Sequence, residues 1–228
     1  MLADNLREVS QRLYSAAAAA GRQPPLLVAV SKLQPAAAIT ELAAAGQRHF
    51  GENYVQEALR KRREIPPGDG EAAVWHLIGH LQSNKAREAA ETFDWVQTVD
   101  RPSIATALAR HRPPARGPLD VLIQVNVDDE PGKHGCRPDE VPALADAIAA
   151  QPALRLRGLM LIPTPHPDPE DRRPAFRAGR ALYEALHAAH PGVDTLSMGM
   201  SDDWQVALAE GATMVRIGTA LFGARPAR

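Results

Sequence analysis

The chain has 228 residues, a formal net charge of −1 and a hydrophobic fraction of 45%, which suits one sizeable globular domain and makes two cramped. There is no basic surplus to grip nucleic-acid phosphates or an anionic membrane surface. The single cysteine, Cys136, allows no intrachain disulfide and agrees with a reducing compartment.

The opening stretch MLADNLREVSQRLYSAAAAAG contains acids and has no basic leader followed by an apolar core, so it does not read as a secretory signal. Nothing later approaches the roughly 18 apolar residues of a membrane span. A cytoplasmic protein is expected, and residues 2–20 read as an amphipathic helix.

Short apolar runs then alternate with helical patterns. The runs are LLVAVS (26–31), RHFGE (48–52), VWHLIG (74–79), DWVQTV (94–99), LDVLIQVNV (119–127), LRGLMLI (156–162), TLSMGM (195–200) and MVRIGTALF (214–222). Between them, segments such as PAAAITELAAAG, NYVQEALRKRREI, PSIATALARHR and PDEVPALADAIAAQ repeat apolar residues at helical spacing. Strands alternating with helices imply parallel βα units, and runs as continuously apolar as LLVAV and VLIQVNV belong to sheets covered on both faces. These units fit an α/β fold of the (β/α)8 TIM-barrel type, which is about 200 residues at its smallest. The alternative is an open doubly wound sheet, but the G-x-G-x-x-G expected after its first strand is missing. No linker marks a boundary, so residues 1–228 read as a single domain, with PTPHPDPEDRRP (163–174) as a long loop after the sixth strand.

A barrel builds its active site at the carboxyl ends of its strands. Lys32 closes the first. An ammonium flanked there by apolar walls is desolvated, which lowers its pKa toward the range where the free amine attacks a carbonyl; the plainer reading is a lysine snorkelling to solvent. Ser201 and Asp202 read as the cap of a helix DDWQVALAEG, whose first N–H groups favour an anion. Gly218 and Thr219 stand at the matching place on strand eight, and the loops after strands seven and eight are the recurrent phosphate site of this fold. Separately these are an ordinary cap and turn. An amine nucleophile on one flank and a phosphate site on the other describe a cofactor with an aldehyde and a phosphate, pyridoxal 5′-phosphate.

The segments AVSK (29–32), FGENYVQE (50–57), WHLIGHLQSNK (75–85), GLM (158–160), SMGMSDD (197–203) and VRIGTALFG (215–223) resemble the pyridoxal phosphate homeostasis protein family. Its members are single-domain barrels similar to the N-terminal, cofactor-binding domain of alanine racemase, here with an extra N-terminal helix. The resemblance implies that Lys32 forms the internal aldimine and that Ser201, Gly218 and Thr219 hold the phosphate, with Met200 adding a backbone contact. It places Arg216 at the pyridine nitrogen and Asn53 and His76 close to the ring. The second lysine that the family often carries two positions after the first is Gln34 here, which puts a relay route in doubt. Lys133 looks like a further family lysine that handles cofactor in transit.

Arg216 favours binding over catalysis. A guanidinium only donates hydrogen bonds, so it keeps the pyridine nitrogen neutral and weakens the carbanion sink; its plainer reading is an inter-element salt bridge. The racemases resembled here also use a tyrosine from a second domain and subunit, for which this chain is too short. Tyr14 and Tyr183 read as packing residues in helices, leaving Tyr54 as the candidate. His76 and His80 are general bases by chemistry, or else a barrel-filling residue and a solvent-facing loop residue respectively. The expected function is a non-catalytic, monomeric carrier that holds pyridoxal phosphate, limits its free concentration and passes it to dependent apoenzymes. The alternatives are a narrow racemase or lyase, and a phosphosugar enzyme whose Lys32 attacks a sugar aldehyde. His111 and His166 lack spaced partners, so no metal is assigned, and RKRRE (60–64) reads as a solvated helix face.

Overall fold

In the computed structural model, which describes residues 1–66, 68, 73–128, 130 and 132–223, eight parallel strands close into a barrel in sequence order. They are β1 (Leu26–Val30), β2 (His49–Glu52), β3 (Val74–Leu77), β4 (Trp95–Val99), β5 (Leu119–Val125), β6 (Leu154–Leu161), β7 (Thr195–Ser197) and β8 (Met214–Ile217). Closure runs through β8 on β1, in register from Leu26 opposite Met214 to Ala29 opposite Ile217. The helices are α1 (Leu2–Ala19), α2 (Ala36–Ala44), α3 (Val55–Glu64), α4 (Ala86–Thr92), α5 (Pro102–His111), α6 (Val141–Ala149), α7 (Arg173–Ala189), α8 (Trp204–Ala209) and α9 (Thr219–Phe222). The extra helix α1 buries Leu6, Val9, Leu13 and Ala17, a stripe at helical spacing, and packs on α2, α8 and α9.

The alternating side chains of each strand sort into two cores. On β8, Val215 and Ile217 join the large cluster beneath the helices, while Met214 belongs to a separate cluster with Val28, Trp95, Leu122 and Met160. That second cluster fills the barrel. Because both faces are covered, β1 reads as an unbroken apolar run, whereas β2, β3, β4, β7 and β8 each carry at least one polar residue.

Two expected strands end early. TLSMGM yields only β7, because Gly199 turns the chain at φ +93°, where a Cβ would lie 2.7 Å from that of Ala207. MVRIGTALF breaks at Gly218 into β8 and α9; a short apolar run carries no period that separates strand from helix. The tract 163–174 is not wholly loop, since it holds a 3₁₀ turn over Pro169–Arg172 and the start of α7.

Candidate cofactor-binding site

At the carboxyl-end mouth lies a cavity of about 340 Å³, lined by Val30, Lys32, Gln34, Asn53, Ile78, Ile162, Met200, Ser201, Asp202, Arg216, Gly218, Thr219 and Gly223. That volume is in the range of small-molecule sites. Lys32, Asn53, Met200, Ser201, Arg216, Gly218 and Thr219, all singled out from the sequence, thus line one cavity. His76 does not. Gln34 lines the cavity where the second lysine is expected, and Ile78 and Ile162, which follow β3 and β6, add apolar surface.

The backbone on both sides of Lys32 is clamped. Lys61 Nζ donates to the Ser31 carbonyl at 2.6 Å and to Glu52 Oε1 at 2.7 Å, and pairs with Glu57 Oε1 at 2.8 Å. Ser31 Oγ donates to the same Glu52 oxygen at 2.6 Å. On the far side, Leu33 N–H donates to Glu57 Oε1 at 2.6 Å, with Leu33 in the left-handed region at φ +64°. Burial pushes the Glu52 carboxyl up, opposed by the Lys61 charge. The run 60–64 is therefore not a solvated face throughout: Lys61 is fully buried. Nothing in a basic run marks the one lysine that turns inward.

Across the mouth, Ser201 and Thr219 bring hydroxyls to the cavity and Gly218 brings backbone. The cap of α8 is Asp203, not Ser201 or Asp202. Its Oδ1 accepts from the Met200 N–H at 2.6 Å, and its Oδ2 accepts from Arg172 Nη1 at 2.6 Å. Both partners of that ion pair are buried. The Met200 N–H expected to reach a phosphate is thus already engaged. Asp203 was legible in principle, as the acid directly before the apolar-periodic Trp204 and Val206.

Arg216, buried inside the barrel, donates from Nη1 to Ser197 Oγ at 2.7 Å and from Nη2 to the Leu161 carbonyl at 2.9 Å. It forms no ion pair among the described residues, which removes the salt-bridge reading. Burial pushes its guanidinium down to about 10, so it stays charged at neutral pH. Asp203 offsets that burial only at longer range, and a buried charge with no carboxylate at ion-pair distance attracts a ligand atom bearing a lone pair or a negative charge. His76 sits deeper, fully buried, between His49 and Gln97, and burial holds its imidazole well below the ordinary range. It lies inside the barrel with both ring nitrogens engaged, away from the cavity.

Of the other candidates, Tyr54 is 62% exposed beside the mouth, and Tyr14 is 63% exposed, contrary to a packing role. Tyr183 packs on the core and stacks on His187. Lys133 pairs with Glu130 at 2.6 Å. Burial pushes the Cys136 thiol up to about 12, which leaves it un-ionised at neutral pH. His80, Asp100 and His134 offer ligand atoms within 4.8 Å of one another, a group drawn from three separate loops that sequence spacing does not reveal. The two imidazoles are stacked 3.7 Å apart and 9° from parallel, so their in-plane lone pairs do not converge on one ion as they stand. No helix among the described residues is long and apolar enough to cross a membrane.

The alanine racemase N-terminal domain family matches residues 2–226. The pyridoxal phosphate homeostasis protein of Pseudomonas aeruginosa is 52% identical over 226 residues, covering 98% of this chain and 96% of that protein. The chain belongs to this family. The Escherichia coli K12 homeostasis protein is 49% identical over 98% of this chain and 97% of its own. Among solved structures, PipY of Synechococcus elongatus without pyridoxal phosphate superposes with a TM-score of 0.87 at 39% identity, over 98% of this chain and 100% of PipY. PipY with pyridoxal phosphate bound gives 0.83 over the same coverage. Alanine racemase of Corynebacterium glutamicum, at 21% identity and 0.66, shares the fold over 61% of its length.

Proposed function

We propose that this family member binds pyridoxal 5′-phosphate in the mouth cavity as an intracellular reserve of the cofactor, within a single barrel domain. What supports the reading above all is one juxtaposition: Lys32 lines the same cavity as Ser201, Thr219 and a buried guanidinium with no carboxylate at ion-pair distance, Arg216. The residues fit the group. Lys32 supplies the amine for the aldehyde, Ser201, Thr219 and Gly218 suit the phosphate, and Val30, Ile78 and Ile162 cover the ring. Bound pyridoxal phosphate supplies an aldehyde that captures amines and a ring that withdraws electrons when its nitrogen is protonated. Arg216 can only donate to that nitrogen, and so holds the ring in its poorer electron-accepting form.

A carrier that stores the aldehyde away from stray amines and hands it to apoenzymes in the cytoplasm, acting as a monomer and without robust catalysis, accords with that chemistry. The test is to mix the protein with pyridoxal phosphate, reduce with borohydride and map the mass increment. We expect it on Lys32, with loss of the visible absorption band in Lys32→Ala. No increment at Lys32 overturns the reading. Loss of optical rotation at ordinary enzyme rates, across a panel of L-amino acids, refutes the carrier in favour of a racemase.

A further inference from the structure

Five polar side chains cross the apolar barrel interior in one hydrogen-bonded series. Arg216 Nη1 donates to Ser197 Oγ at 2.7 Å, and Ser197 Oγ donates to Gln97 Oε1 at 2.7 Å. Gln97 Nε2 then lies 2.9 Å from His76 Nδ1 and 3.2 Å from Met214 Sδ, and His76 Nε2 lies 2.9 Å from His49 Nδ1. The residues come from β8, β7, β4, β3 and β2, so the series runs from the cavity to the opposite mouth, where His49 borders a surface hollow.

The direction of every proton follows from the guanidinium. Arg216 has no acceptor, so Ser197 must accept from it and give its one proton to Gln97. The Gln97 carbonyl is thereby committed, its amide NH₂ faces Met214 sulfur and His76, and His76 Nδ1 must accept. Burial keeps His76 neutral, which leaves its single proton on Nε2, donated to His49. An inverted amide would set Gln97 Oε1 against the Met214 sulfur, two acceptors face to face.

We propose that His76 is a positioning residue for Arg216, locked in the Nε2–H tautomer and acting through Gln97 and Ser197 to aim the guanidinium at the cavity. Two of the five guanidinium protons are then held by Ser197 and Leu161, and the rest are left for a ligand. The effect on the cofactor rests on the function proposed above; the tautomer does not.

The experiment has two arms. In cofactor-free protein carrying ¹⁵N-histidine, NMR should show His76 protonated at Nε2 and bare at Nδ1; a proton on Nδ1 overturns the series. In the loaded protein, His76→Asn keeps an acceptor near the Nδ1 position, whereas His76→Leu and Ser197→Ala cut the series. The cut variants should hold pyridoxal phosphate about tenfold less tightly, as expected for losing a hydrogen bond to a charged group, and should shift the pH at which the cofactor band changes. His76→Asn should stay near the parent on both. If Asn and Leu variants behave alike and Ser197→Ala matches the parent, His76 only fills space. If the parent takes up no cofactor while the tautomer is as stated, the functional reading fails and the proton order stands.

Discussion

Lys61 Nζ sits 2.6 Å from the Ser31 carbonyl oxygen, tying the buried side of α3 to the backbone that presents Lys32. One lysine answers two carboxylates and a carbonyl there, so its removal leaves the fully buried Glu52 and the partly exposed Glu57 without that cation. Lys61→Met is expected to cost roughly 3–5 kcal/mol, the usual penalty for stranding one partner of a buried pair. Urea unfolding checks this, and an unmoved midpoint would show that the network is dispensable. Glu57→Gln keeps an acceptor for the Leu33 N–H and should cost less.

Arg216 is the buried charge among the residues that line the cavity. Arg216→Gln removes that charge and is expected to weaken pyridoxal phosphate binding at least about tenfold, in line with hydrogen bonds to ionised groups. Arg216→Glu sets a carboxylate where the ring nitrogen is expected and should move the absorption band of the loaded protein. Equilibrium titration and absorption spectra read both outcomes; unchanged affinity and spectrum would place Arg216 away from the ring.

The barrel was legible because strands buried on two faces, β1 and β5 above all, read as nearly continuous apolar runs alternating with helical patterns, and because strand ends are where this fold keeps its chemistry. That is why Lys32, Arg216 and Thr219, which line the mouth cavity, are legible as residues at strand ends. His76 could not be placed, since alternation along a four-residue strand does not say how deep in the barrel a side chain lies. Asp203 carried a local signal as a helix cap, but its ion pair with Arg172 did not. Lys61 was hidden for the same reason, because its bond to the Ser31 carbonyl spans thirty residues and no local pattern encodes such a pairing. The Gly218 break was missed because helical and extended residues alike can be apolar.

Asp203 supports the turn on the side proposed for the phosphate without lining the cavity. By accepting the Met200 N–H and pairing with Arg172, it fixes the turn that carries Ser201. Asp203→Ala frees both groups and strands a buried guanidinium, so a stability loss of roughly 3–5 kcal/mol is expected. Lower affinity for pyridoxal phosphate should accompany it, with affinity for unphosphorylated pyridoxal less affected. Equal losses for the two ligands would show that the turn does not serve the phosphate.

Acid should loosen the barrel through its buried histidines. Burial lowers His49 and His76 in the folded protein, whereas in the unfolded chain both titrate near 6.5. Below that pH the unfolded chain takes up protons that the folded one refuses, so stability is full above 6.5 and is lost as pH falls, by up to about 1.4 kcal/mol per unit for each group. Glu52 works the other way. Its raised folded pKa contributes stability that is fully present below 4.5 and is lost as pH rises through the folded value, so it offsets part of the histidine effect at acid pH. Urea unfolding from pH 7 to pH 5 should show a falling midpoint in the parent and a shallower fall in His76→Asn. Identical slopes would mean that His76 is charged in the folded barrel, which its contacts with Gln97 Nε2 and His49 Nδ1 oppose.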